Sequence, residues 1–81
     1  MRVVVKLFAA ARELAGVSEA TVDLGDSATV ADARQALAGQ YAALAPLVAR
    51  SLVAVNAEYA DNLTTLAAGD EVALIPPVSG G

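Results

Sequence analysis

The last seven residues of the sequence, Ile75 to Gly81, read IPPVSGG, and they have the properties of a presented carboxyl group. Pro76 and Pro77 donate no backbone hydrogen bond and halt any strand that leads into them. Val78 and Ser79 follow, and then Gly80 and Gly81, which have no side chains to block a narrow channel and tolerate backbone angles closed to other residues. Fully extended, residues 76–81 span roughly 20 Å. A terminal α-carboxyl has a pKa of about 3.3–3.7 and is ionised at neutral pH, so it is a poor electrophile but an adequate nucleophile toward a phosphorus of ATP. Chemistry at Gly81 therefore requires activation first. The competing reading of the same stretch is an ordinary frayed terminus.

The remaining residues offer little other chemistry. There is no cysteine and no histidine among the 81 residues, which removes the thiolate nucleophile and the commonest general base and metal ligand. Asp23, Asp26, Asp61, Asp70 and Glu71 are scattered across turns without metal-ligand spacing, so no metal site is assigned. No Gly-rich phosphate loop is present, because the terminal Ser-Gly-Gly has no helix after it to cradle a phosphate. With five Lys and Arg against nine Asp and Glu, the net charge is -4. That balance disfavours nucleic acid as a partner. No apolar run approaches the roughly 20 residues that cross a bilayer, and MRVVVKLF lacks the features of a signal peptide. The expectation is a cytoplasmic protein that does not engage membranes.

The elements that must position this tail follow from periodicity. Residues 2–8 alternate, with Val3, Val5 and Leu7 in one phase and Arg2, Val4, Lys6 and Phe8 in the other. Ala9 to Leu14 suits a helical turn that Gly16 ends. Glu19 to Leu24 is a second strand, and GDS after it is a turn. Thr29, with Asp32 three residues on, reads as the N-cap of the main helix, which places Val30, Ala33, Leu37 and Tyr41 on one face. Pro46 interrupts any long helix beyond it. Leu52 to Asn56 is a third strand, residues 58–68 carry no clear pattern, and Glu71 to Ile75 is the last strand. Strand, strand, helix, strand, strand in so short a chain predicts an α+β fold, a mixed sheet wrapped on one main helix in the β-grasp plan. The expected division is a folded domain over residues 1–75 and an extended tail over 76–81.

Three segments, LFAAARELAG, VAVN and LAAGDEVALIPPVSGG, together with their spacing resemble the MoaD family, the small subunits of molybdopterin synthase among the ubiquitin-like sulfur carriers. The terminal Gly-Gly is shared with the thiamine-pathway carriers and the protein-conjugating modifiers. The narrower DEVALIPPVSGG, with ARELAG, singles out the MoaD type. The family often has an aromatic residue where Ile75 stands.

The resemblance implies a carrier of sulfur in molybdenum cofactor biosynthesis. Gly81 would be adenylated, converted to a thiocarboxylate, and made to donate sulfur to cyclic pyranopterin monophosphate for the molybdopterin dithiolene. It implies no cofactor bound by this chain, since ATP and Mg belong to a ubiquitin-activating-like, MoeB-like adenylyltransferase. The other implied partners are a sulfurtransferase and a MoaE-like large synthase subunit. The catalytic pocket would lie on that large subunit, in a heterotetramer. Phe8 and Ile75, both on outward phases, are candidates for an exposed apolar patch beside the tail, with Arg12 at its rim as in the family. The alternative for Phe8 is burial under the Ala9 to Leu14 turn. Other readings of the whole chain are a carrier for another pathway, a ubiquitin-like modifier, or an interaction module whose tail is idle.

Overall fold

A computed structural model of the chain describes residues 1–77, so Val78, Ser79, Gly80 and Gly81 of the expected tail lie outside the described residues. The first strand, β1 (Arg2–Leu7), buries Val3, Val5 and Leu7, the phase its alternation predicts. A short helix, α1 (Ala9–Ala15), is ended by Gly16 at φ 76°, whose N–H donates to the Arg12 carbonyl. Glycine takes this left-handed turn without a Cβ penalty. Strand β2 (Glu19–Asp23) returns antiparallel to β1.

The main helix, α2 (Val30–Gln40), opens on a reciprocal cap between Thr29 and Asp32. The Asp32 N–H donates to the Thr29 hydroxyl, and the Thr29 N–H to the Asp32 carboxylate at 2.9 Å. Such a box satisfies two of the backbone donors that a helix start leaves free. Two more are met from far along the chain, where the Val30 and Ala31 N–H groups donate to the carbonyls of Thr64 and Asn62. Val30, Ala33 and Leu37 face the sheet.

One turn of 3-10 helix (Ala42–Leu44) leads into helix α3 (Ala45–Arg50). Pro46 sits in the first turn of α3, where its missing N–H costs nothing and its fixed φ suits a helix start. At the other end, Arg34 donates to the Val48 carbonyl at 2.6 Å and the Ser51 hydroxyl to the Leu47 carbonyl at 2.7 Å. The Val48 carbonyl, which also accepts from the Ser51 N–H, thereby gains a second donor, and the Ser51 hydroxyl serves the Leu47 carbonyl at the end of α3.

Strand β3 (Leu52–Val55) is followed by a strand the periodicity does not reveal, β4 (Glu58–Ala60). Asn56 and Ala57 both take positive φ, 52° and 68°, the geometry of a two-residue reversal whose twist matches its flanking strands. Val55 then faces Glu58 and Val53 faces Ala60. The last strand, β5 (Glu71–Ile75), inserts parallel to β1 and antiparallel to β3. The five-stranded order is β2-β1-β5-β3-β4, with α2 across the inner face. This is the mixed-sheet β-grasp arrangement. Leu7, Leu37, Leu44 and Leu74 are among its most completely buried side chains, each stabilising the fold by about 1.5–3 kcal/mol through burial.

Candidate functional site

The site is built where the two central strands run out together. Leu7 of β1 is registered with Leu74 of β5, so Phe8, just past the end of β1, lies beside Ile75, the last residue of β5. Ile75 in turn faces Leu52 across β3. Phe8 is 46% exposed and Leu52 56% exposed, while Ile75 is half-buried between its neighbours. Pro76 follows half-buried and Pro77 exposed, so the chain departs from this apolar corner.

Local backbone geometry decides the alternatives for Phe8. Phe8 keeps an extended conformation, φ -124° and ψ 155°, and Ala9 reverses the chain at φ 49°. The side chain buried from this turn is Ala11. Phe8 therefore continues the outward phase of β1. Arg12 is exposed on α1 one turn beyond, and among the described residues its guanidinium makes no side-chain hydrogen bond or ion pair. The structure thus brings Phe8 and Ile75 together and sets Arg12 at the margin. It adds Leu52, which sequence reasoning left unassigned. The signal was present, because Leu52 stands in opposite phase to Val53, which is buried.

Away from the corner the outer face changes character. Lys6 faces Ala73, and Ala73 faces Ala54, so the middle of the face is lined by methyl groups. Lys6 Nζ lies 3.2 Å from Glu71 Oε1, and Arg2 Nε lies 3.5 Å from Asp23 Oδ1. Pairs this exposed contribute up to about 1 kcal/mol. Around them a shallow cleft of about 300 Å³ is lined by Arg2, Val4, Lys6, Glu19, Asp70 and Glu71. Asp70 accepts from the Ala67 N–H at 2.8 Å and from the Asn56 amide at 3.0 Å. These two bonds hold its carboxyl below the usual carboxylate range, against a smaller opposing effect of desolvation. Asn56 also accepts from the Glu71 N–H, so the residue that closes VAVN ties the β3–β4 turn to the start of β5.

Among the described residues no three His, Cys, Asp or Glu side chains gather to hold a metal ion. No helix there is long and apolar enough to cross a membrane. The arrangement offers an exposed apolar corner from which Pro76 and Pro77 lead away.

Comparison with known proteins gives these features a context. The ThiS family model matches residues 5–81. The molybdopterin synthase sulfur carrier subunit of Chlamydomonas reinhardtii is 41% identical over 83 residues, covering 100% of both chains. Small archaeal modifier protein 1 of Haloferax volcanii is 44% identical over 84 residues, covering 94% of this chain and 97% of that one. A crystal structure of that organism's protein of this name superposes with a TM-score of 0.89 at 40% identity, covering 100% of both chains. A Helicobacter pylori complex of subunits 1 and 2 of molybdopterin-converting factor contains a chain that superposes with a TM-score of 0.70 at 27% identity, again covering 100% of both. The chain belongs to the ThiS family of ubiquitin-like β-grasp proteins, and its relatives there include molybdopterin synthase sulfur carrier subunits and a small archaeal modifier.

Proposed function

We propose that this chain carries sulfur for molybdenum cofactor biosynthesis in the cytoplasm, with Gly81 as the reacting residue. On a MoeB-like adenylyltransferase, which supplies the ATP site and Mg, the Gly81 carboxylate attacks the α-phosphorus of ATP and pyrophosphate leaves. The terminal sulfur of a sulfurtransferase persulfide then attacks the acyl carbon and AMP leaves, giving an acyl disulfide, and a thiol reductant breaks its S–S bond to free the thiocarboxylate. Docked on a MoaE-like large subunit, the tail delivers this sulfur to cyclic pyranopterin monophosphate. Two loaded carriers in a heterotetramer supply the two dithiolene sulfurs, and each spent carrier leaves as the carboxylate. With no Cys or His in the sequence, proton transfer and pterin orientation fall to the large subunit.

The observation that carries this reading is the apolar corner of Phe8, Leu52 and Ile75 at the point where β5 gives way to Pro76. A partner seated on that corner receives at its own surface whatever follows Pro77. The names of the full-length relatives, and the two-subunit complex in which one structural relative was solved, support the same role. Intact-mass measurement after incubation with ATP, the adenylyltransferase and a sulfur donor tests it. The expected result is exchange of one oxygen for sulfur at Gly81, lost on deletion of Gly81 with the fold unchanged. A Gly81-deleted chain that still supports molybdopterin synthesis overturns it.

A second reading, conjugation of the same activated carbonyl to amines of other proteins, is favoured by the relative named as a modifier. It predicts amide-linked adducts rather than a thiocarboxylate in the same mass measurement.

A further inference from the structure

Amines are scarce in this chain. Of its five Lys and Arg residues, four are the arginines at 2, 12, 34 and 50, whose guanidinium groups stay protonated and are not acylated. The fifth is Lys6. The amine of Met1 is part-buried and donates to the Leu24 carbonyl, at the opposite end of β1 from the apolar corner. Lys6 is differently placed. Its side chain is 41% exposed, it stands on the outward phase of a central strand, and it lines the shallow cleft described above.

We propose that Lys6 Nζ is an acylation site for the activated Gly81 carbonyl of a second copy of this chain, giving a Gly81–Lys6 amide between two copies. The inference rests on the reading that Gly81 is adenylated, with ATP as the activating co-reactant. The neutral amine attacks the acyl carbon of the adenylate and the C–N bond forms. The bond from that carbon to the phosphate oxygen breaks, and AMP leaves with the electron pair. One proton is released from nitrogen, and Glu71 Oε1, 3.2 Å from Nζ, is placed to accept it before passing it to solvent. The approaching tip suits the cleft, since Gly80 and Gly81 bring backbone but no side chain to its wall. Lys6 is registered with Ala73, two residues before Ile75 on the same face of β5. A copy attached there is tethered next to Phe8 and Ile75 and competes with any partner for that corner.

The test uses the full chain, a purified carrier-adenylating enzyme and MgATP, with the sulfur donor withheld so that the acyl adenylate persists. Pyrophosphate release reports activation, and intact mass with peptide mapping reports the amide. A Lys6→Arg chain keeps a cation facing Glu71 and serves as donor only. A Gly81-deleted chain serves as acceptor only. The expected result is a linked pair from the wild type, none from Lys6→Arg alone, and a linked pair again when the two variants are mixed. That pair should bind the large subunit at least tenfold more weakly through its acceptor copy. Pyrophosphate release with no linked pair overturns the proposal and leaves the carrier reading standing, whereas no pyrophosphate release overturns both. A linked pair from Lys6→Arg alone, joined at Met1, assigns the wrong amine and overturns it too.

Discussion

The inner and outer faces of the sheet are made by the same strands and differ in what covers them. Inward, Val3, Val5, Leu7, Val53, Val72 and Leu74 are all buried beneath α2 and its neighbours. Outward, the same strands carry an ion pair at one end, Ala54 and Ala73 in the middle, and Phe8, Leu52 and Ile75 at the other. Among the described residues, Phe8 and Leu52 stay exposed at that apolar end. The inner set is explained by stability. The outer set adds little to folding, and exposed apolar groups gathered at one corner have the character of an interaction surface.

Substitutions that act on one face and spare the other test this contrast. Leu74→Ala removes a fully buried side chain from the centre of the inner face, and thermal or urea unfolding should show a loss of about 2–5 kcal/mol. Phe8→Ala should do the reverse. It is expected to weaken binding to the large subunit by about 1–3 kcal/mol in a titration while shifting the melting temperature only slightly. A large fall in melting temperature with unchanged binding would place Phe8 with the inner set. Ala57→Gly touches neither face and relieves a left-handed alanine, so stability should rise by about 0.5–1 kcal/mol without altering binding.

The smallest effect is expected from Asp70→Asn, read as a pH dependence. The Asp70 carboxyl is depressed in the folded chain, so its contribution is fully present above the ordinary Asp value of 3.8. It is lost as pH falls through the lower folded value. The acid limb of an unfolding titration should flatten slightly in the variant. An unchanged acid limb would mean that the Asn56 and Ala67 bonds do not persist in solution.

Much of the framework was legible because it is local. The alternation of β1, the Thr29 cap with Asp32, the Gly16 stop and the final strand each depend on residues a few positions apart. What escaped is non-local or nearly featureless. Strand β4 has three residues and an exposed Tyr59, so no hydrophobic alternation announces it, and it exists because the Asn56–Ala57 turn folds it onto β3. Residues 61–66 show no pattern because Asn62 and Thr64 serve through their carbonyls, which accept from Ala31 and Val30 at the start of α2, a relation invisible without the fold. At the site, Ile75 and Phe8 could be placed on outward phases, yet whether Phe8 turned outward depended on the backbone of Ala9. Leu52 joined them only once β3 was known to lie beside β5.

The register that pairs Val4 with Glu71 and Leu7 with Leu74 also sets a clock on synthesis. The two central strands are 67 positions apart in the chain, so β1 waits for its parallel neighbour until β5 has been translated. At about 5–20 residues per second that wait is about 3–13 s. Throughout it, Val3, Val5 and Leu7 lie along a strand whose central edge is open, the condition under which nascent chains pair with the wrong neighbour. The sheet closes only with the last strand, so a ribosome that stalls before β5 does not release a folded body.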